Sequence, residues 1–325
     1  MSVKSADREV FRILRRIPGI AYALIALVAA FAWFIPGFFT PSNLLSVVRQ
    51  GSVLIMVSLG ATLAILSRGV NLSLGGVMSL AGVVTGVLIH RGAPLSLAIL
   101  AGVAVGAVAG SLVGAVIARA DIAPFIVTLG MMSIGEGLAL VLSGGASVPG
   151  FGASFQVIGQ GSLLFAPLPF WIALTLFFLI HFLLRHTQLG VAIYAIGGNE
   201  EAAALSGVDV RRAKFQIYLI GGLLAGLAGV VLASRMNSAH PSGGMGFEFD
   251  AIAATVVGGT PMSGGRGGVV GTLGGAAIIS VMRNGLNMLG LPTPWQMIII
   301  GLIIVGSVAL DTVGSAVHGR RGGTV

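Results

Sequence analysis

Residues 197–214 read Gly-Gly-Asn-Glu-Glu-Ala-Ala-Ala-Leu-Ser-Gly-Val-Asp-Val-Arg-Arg-Ala-Lys. This charged stretch lies between two long apolar runs. A charge at the bilayer centre costs about 3 kcal/mol on insertion scales, so the stretch belongs outside the membrane and its flanks belong in it. Its own composition predicts one short helix. Asn199 can cap the first free backbone N–H groups, and Glu200 and Glu201 suit the positive end of the helix dipole. Ala202, Ala203 and Ala204 favour helix, and Gly207 can close it in the left-handed conformation. A short, capped helix with an alanine face fits closely in a groove of a soluble partner, as an element that transmits motion must.

Working outward, charged residues are only 9% of the chain, hydrophobic residues 56%, and mean hydropathy is +1.02. Soluble domains carry about 25% charged residues, so the expectation is an integral membrane protein. The formal charge of +8 does not point to nucleic acid, because most cations sit at span ends, where they orient the chain. With no cysteine, disulfides, thiolate metal sites and cysteine nucleophiles are excluded. The first apolar run follows Lys4, Arg8, Arg12, Arg15 and Arg16 like a signal peptide, but no small-x-small cleavage site follows it. It reads as a retained first span.

The apolar runs give about ten candidate spans, at about 19–37, 52–67, 74–90, 95–118, 124–142, 167–184, 215–234, 250–264, 268–289 and 294–312. The fold expected is an all-α polytopic membrane protein. The second, third and eighth runs look short and glycine-interrupted. The eighth, with Gly258, Gly259, Pro261, Gly264 and Gly265, suggests re-entry, since non-helical backbone at depth needs protein or water around it. With the N-terminus cytoplasmic and ten crossings, only Arg49, Arg91, Arg235 and Arg283 of the 18 Lys and Arg face outward. That bias places a coupling loop, 185–214, and both termini (1–18 and 313–325) in the cytoplasm, with the membrane domain over 19–312. Gly102, Gly106, Gly110 and Gly114 recur at four-residue spacing and predict close helix packing.

No enzyme constellation is visible. Lys4 and Lys214 lack the preceding glycines of a phosphate loop, and the glycine-rich run 258–268 lacks the Lys-Ser/Thr ending. His90, His181, His186, His240 and His318 are scattered, with no zinc-like spacing apart from the lone pair His181 and His186, and no metal site is expected. The chain is expected to bind no cofactor itself; ATP, if it drives transport, is used by a separate partner.

The run Glu200-Glu201-Ala202-Ala203-Ala204-Leu205-Ser206-Gly207 resembles the Glu-Ala-Ala…Gly coupling motif of ABC-importer permeases. Gly69-Val-Asn-Leu-Ser-Leu-Gly-Gly-Val-Met78, Pro124-Phe-Ile-Val-Thr-Leu-Gly130 and Asp250-Ala-Ile-Ala-Ala254 narrow the likeness, as do Gly258-Gly-Thr-Pro-Met-Ser-Gly-Gly-Arg-Gly267 and Asn284-Gly-Leu-Asn-Met-Leu-Gly290. Together they resemble the ribose-type sugar permeases, with their arabinose, xylose and galactose relatives, in the branched-chain amino-acid/ribose permease superfamily. The resemblance implies a permease subunit in a bacterial inner membrane, among membrane lipids, paired with a second copy or paralogue. It implies a cytoplasmic ABC ATPase receiving Asn199, Glu200, Glu201, Ala202, Ala203 and Gly207, and a periplasmic sugar-binding protein delivering a monosaccharide or polyol. No nucleic acid is expected.

Two positions depart from the family pattern. Many relatives carry aspartate where this chain has Asn71, and arginine near Glu136. Glu136 lies in an apolar span and must face a polar cavity or a partner; it either lines the path or serves a structural neighbour. Asn284 and Asn287, three apart, share a helix face, and either bind sugar hydroxyls or bond between helices. Glu248 and Asp250 read as lying near the outer surface, where they meet a binding protein or solvent. Asn71, Glu136, Asn284 and Asn287 are thus the path candidates. An ion-coupled transporter would need more ionisable groups at depth, and a branched-chain amino-acid permease is the nearest alternative. A scaffold without transport stays open.

Overall fold

Proline and glycine punctuation sets most helix limits in the computed structural model, which describes residues 19–120, 122–303 and 305–306. The expectations for 1–18, for 313–325 and for the placement of both termini lie outside the described residues. Helix α1 (Gly19–Phe34) precedes a turn at Gly37, and Pro41 then opens α2 (Pro41–Leu66) at a position where its missing N–H is not needed. There follow α3 (Ser73–His90), α4 (Leu95–Ala120), α5 (Pro124–Ser143), α6 (Ala153–Gln160), α7 (Leu168–His186), α8 (Gln188–Gly198) and α9 (Glu200–Leu205). The chain continues with α10 (Val210–Met236), α11 (Phe247–Val257), α12 (Val269–Met288) and α13 (Thr293–Ile303). Two antiparallel strand pairs, β1 (Val148–Pro149) with β4 (Ser238–Ala239) and β2 (Ser162–Leu163) with β3 (Ala166–Pro167), tie connectors together.

Seven of the described helices, α2, α3, α4, α5, α7, α10 and α12, are long and apolar enough to cross a membrane. The protein is thus a multi-pass, mostly helical membrane protein. The shorter apolar helices are α1, α8 and α13. The second run is not short: α2 has 26 residues and starts well before 52. Its first turns are polar yet satisfied, with Asn43 donating to Phe38 O at 2.8 Å and Arg49 to Gln160 O at 3.1 Å. An apolar-run reading misses such a start. The eighth run is helical only up to Val257, where the 11-residue α11 ends, and the glycines after it form a loop. Residues 197–214 hold the short helix expected there, α9, with α8 ending at Gly198 before it and α10 beginning at Val210 after it.

Helix α10 forms the centre, packed on α2, α3 and α4. Its seam with α4 is the predicted glycine row. A Cβ on Gly106 would strike Gly222 O and lie 2.8 Å from Gly226 Cα, and one on Gly114 would lie 2.7 Å from Phe215 O. Backbones touch there because no side chain intervenes. Buried hydroxyls join α2, α11 and α12: Thr62 Oγ1 lies 3.2 Å from Thr255 Oγ1 and 2.8 Å from Thr272 Oγ1.

Two long helices end in irregular segments that lead into shorter ones. After α2 the chain passes through Arg68 (φ 61°) and residues 69–72 into α3. After α10 it passes through Asn237 (φ 49°) and residues 238–246 into α11. Helices α3 and α11 meet at their N-terminal ends, where Gly244 N donates to Ser79 Oγ at 2.8 Å and Gly244 packs on Gly75.

Candidate coupling segment and translocation path

The candidate coupling segment is assembled from local hydrogen bonds. Thr187 Oγ1 accepts from Gly190 N at 3.3 Å and starts α8. Asn199, in extended conformation, accepts from Ala202 N at 3.0 Å through Oδ1 and caps α9, as the sequence predicts. Glu200 and Glu201 occupy the first turn. Gly207 (φ 87°) donates to Ala204 O at 3.0 Å, and Val208 N to Ala203 O at 3.1 Å, closing the helix in the left-handed manner glycine permits. Asp209 then caps α10 by accepting from Arg212 N at 2.9 Å.

The alanine face divides. Ala203 is buried against Ile196 and Ala213, holding α9 to the rest of the protein. Ala202, Ala204 and Leu205 are exposed, Leu205 at 86%. Lys214 Nζ lies 2.5 Å from Glu200 Oε1, so Glu200 anchors α9 while Glu201 stays exposed. Two grooves flank the helix. One of about 510 Å³ is lined by Arg119, Glu201, Ala204 and Arg211, and the other, about 660 Å³, by Gln188, Val191, Gly207 and Asp209. Tyr194 of α8 donates to Gly267 O at 2.9 Å, and burial raises its phenol pKa while Arg185 opposes the shift.

The four path candidates are not brought together. Asn71 is 2% exposed, and its Oδ1 accepts from Ser73 N at 3.1 Å and Ser73 Oγ at 2.7 Å, which organises the start of α3. Asn284 and Asn43 exchange amide hydrogen bonds of 3.1 and 2.9 Å between α12 and α2, so Asn284 bonds between helices. Asn287 lies exposed near the end of α12. Three-residue spacing does not put both on one buried face, because Asn284 points at α2 and Asn287 does not. Glu136 is half-buried on α5, the least buried of the seven long helices. Its neighbour Gly135 packs on Gly76 of α3.

Glu248 and Asp250 are not on the outer surface, as the sequence suggested. They are 1% and 3% exposed, because residues 238–246 fold back along α3 and α10 before α11 begins. Asp250 pairs with Arg283 of α12. Glu248 Oε1 accepts from Gly246 N at 3.1 Å, while Oε2 rests on Gly75 with no hydrogen-bond partner among the described residues. Glu136 and Asp250 both lie within electrostatic reach of Glu248. Three acidic residues, one of them paired, therefore gather around the start of α3. The signal for this was the run Gly243-Gly244-Met245-Gly246, whose glycines allow close backbone approach, with Gly246 at φ 88°.

Comparison with known proteins agrees with this architecture. Residues 43–308 match the family described as branched-chain amino acid transport system / permease component. The chain is 40% identical over 293 residues to the ribose import permease protein RbsC of Escherichia coli (strain K12), covering 89% of this chain and 91% of that protein. It is 38% identical over 295 residues to the D-allose transport system permease protein AlsC of the same strain, covering 90% of each. The L-arabinose ABC transporter permease protein AraH of Azospirillum brasilense is 36% identical over 298 residues, 90% of this chain and 86% of that one. No solved structure matches. The chain belongs to this permease family, with the sugar ABC permeases of the superfamily, and is a transporter subunit, not an enzyme.

Proposed function

We infer that this chain is the membrane permease subunit of an ABC importer that carries a monosaccharide or related polyol through the bacterial inner membrane. The observation that carries this reading is the 40% identity to a ribose import permease over 89% of the chain. The allose and arabinose relatives widen the substrate class to aldoses of similar size. The family description also names branched-chain amino acids, but these three relatives are named for sugars.

In this reading α9 faces the cytoplasm and enters a cleft of a separate ABC ATPase. Its support is a capped, six-residue helix with exposed Glu201, Ala202, Ala204 and Leu205 between two grooves. Ten membrane crossings, including α1, α13 and α11 together with the connector 238–246 that leads into it, put both termini on that side, consistent with the cation bias. ATP is consumed by the ATPase, and a periplasmic sugar-binding protein docks on the opposite face. A second permease copy or paralogue covers α5, whose exposed side presents Phe125, Ile126, Leu129 and Ile134, with Ser133 and Glu136 as polar interruptions. Sugar passes between the copies by alternating access, Glu136 lining the path.

Purification from native membranes, followed by reconstitution with the co-purifying ATPase and binding protein, tests this. ATP-dependent uptake of radiolabelled ribose, allose or arabinose is the expected result. Uptake of leucine with none of the three sugars would overturn the sugar assignment.

A further inference from the structure

Three segments distant in sequence are fastened at one point beside α9. Arg68, just after α2, donates from Nε to Ser263 O at 2.9 Å and from Nη2 to Gly198 O at 2.7 Å. Gly198 ends α8 and directly precedes the cap of α9, while Ser263 lies in the loop that continues α11. Gly265 N donates to Leu66 O at 2.9 Å, closing the same triangle through the backbone.

The glycines of this loop are explained by the contact. A Cβ on Gly264 would sit 2.8 Å from Arg68 Cγ, and one on Gly265 would sit 2.8 Å from Gly197 O. Gly264 and Gly265 also need positive φ, 73° and 72°. The run that superficially suggested a phosphate cradle is a docking loop for α2 and α8. Arg68 itself holds φ 61°, uncommon for a side-chain-bearing residue, and its fork is what spans two carbonyls at once.

The loop joins α11 without slack. Gly259 N donates to Val256 O at 2.9 Å and Thr260 N to Thr255 O at 3.1 Å, so the helix end runs into the loop through fixed turns. Helix α11 is a short rigid rod whose far end carries Glu248 against Gly75. On the other side, α8 and α9 share the packed cluster of Ile196, Ala203 and Ala213. A push on α9 therefore has a bonded route to the place where α3 and α11 meet.

We propose that Arg68 is a positioning residue that makes the α8–α9 segment, the loop 258–268 and α11 move as one body, delivering displacement of α9 to the Gly75–Glu248 contact. This rests on the reading of α9 as the ATPase contact. The unit shifts together because Arg68 ties Ser263 O and Gly198 O at once while Gly265 N ties the loop to Leu66 O.

The absence of native cysteine allows a clean test. Val191→Cys on α8 and Met262→Cys in the loop, both exposed, carry a spin-label pair. In the complex with its ATPase, the inter-label distance is expected to stay narrow and unmoved when ATP and vanadate are added. Arg68→Gln is expected to add a second, longer population and to lower ribose uptake per ATP hydrolysed about tenfold, with hydrolysis retained. Arg68→Lys, which reaches one carbonyl at a time, falls between. A distance that moves with nucleotide in the unsubstituted background overturns the proposal. So does an Arg68→Gln complex with unchanged distance and unchanged uptake per ATP. If Arg68→Gln fails to insert, Tyr194→Phe decides: a broadened distance supports the junction, an unchanged one overturns it. A chain that recruits no ATPase defeats the functional reading alone. The nucleotide-free distance, narrow in the unsubstituted chain and broadened by Arg68→Gln, then still judges the junction.

Discussion

Arg283 of α12 holds Asp250 of α11 in a fork, Nη2 donating to Oδ1 at 2.8 Å and Nε lying 2.6 Å from Oδ2, with the aspartate side chain only 4% exposed. Breaking a buried pair by removing one partner leaves the other charge uncompensated, at a cost of about 3–5 kcal/mol. Arg283→Met is therefore expected to lower the thermal midpoint of the detergent-purified chain markedly. Arg283→Met with Asp250→Asn should recover much of the loss. Equal midpoints for the single and double variants would contradict the pairing.

Glu248, two residues away, has no such partner among the described residues, and its two obvious replacements should behave differently. Glu248→Gln keeps an acceptor for Gly246 N and replaces a buried, half-partnered carboxyl with a neutral amide, so thermal stability is expected to hold or rise. Glu248→Ala leaves that N–H unpaired, at a cost of about 1–3 kcal/mol. Thermal midpoints of the two variants, measured side by side, decide whether the carboxylate or the hydrogen bond matters.

Helix α9 makes a sharper forecast. Gly207 adopts φ 87°, which proline cannot reach, and Glu201→Lys puts a cation at the positive end of α9. Both variants should insert normally, by membrane-fraction immunoblot, and lose ATP-driven ribose uptake. Normal uptake in both would end the coupling assignment. Asn199→Ala, which removes only the cap, is expected to cost about 1 kcal/mol locally and to reduce uptake without abolishing it.

Glycines in this chain divide into those that touch something and those that do not. A Cβ on Gly222 would meet Gly106 O and lie 2.7 Å from Gly110 Cα, whereas one on Gly137 would meet nothing within 4 Å. Gly222→Val should abolish accumulation of folded protein. Gly137→Ala, inside α5, should leave it intact and stabilise the helix by about 0.5–1 kcal/mol. Expression yield and midpoint of both variants give the answer.

Much of the fold was readable from residue order. Proline at 41 and 124 and glycine at 144 sit where helices start and stop, and most apolar runs coincide with helices to within a few residues. Asn199, Glu200 and Gly207 were assigned their helix-building roles from local chemistry, and the structure agrees because capping is decided within a few residues. What failed was non-local. The polar start of α2 is satisfied by Phe38 and Gln160, which sequence spacing cannot reveal. Glu248 reads from sequence as lying near the surface, whereas Gly243, Gly244 and Gly246 let the preceding connector fold inward and bury it. Arg68 carried no recognisable motif, since its partners are backbone carbonyls 130 and 195 residues away.

The α4–α10 seam has a consequence for how this molecule can change shape. Interdigitated side chains let neighbouring helices roll over one another by switching rotamers, like loosely meshed cogs. At Gly106, Gly110, Gly222 and Gly226 there are no teeth. Main chain lies on main chain, so any roll drives one backbone into the other. These two helices form a single spar, and the parts that rearrange during a transport cycle must turn around it.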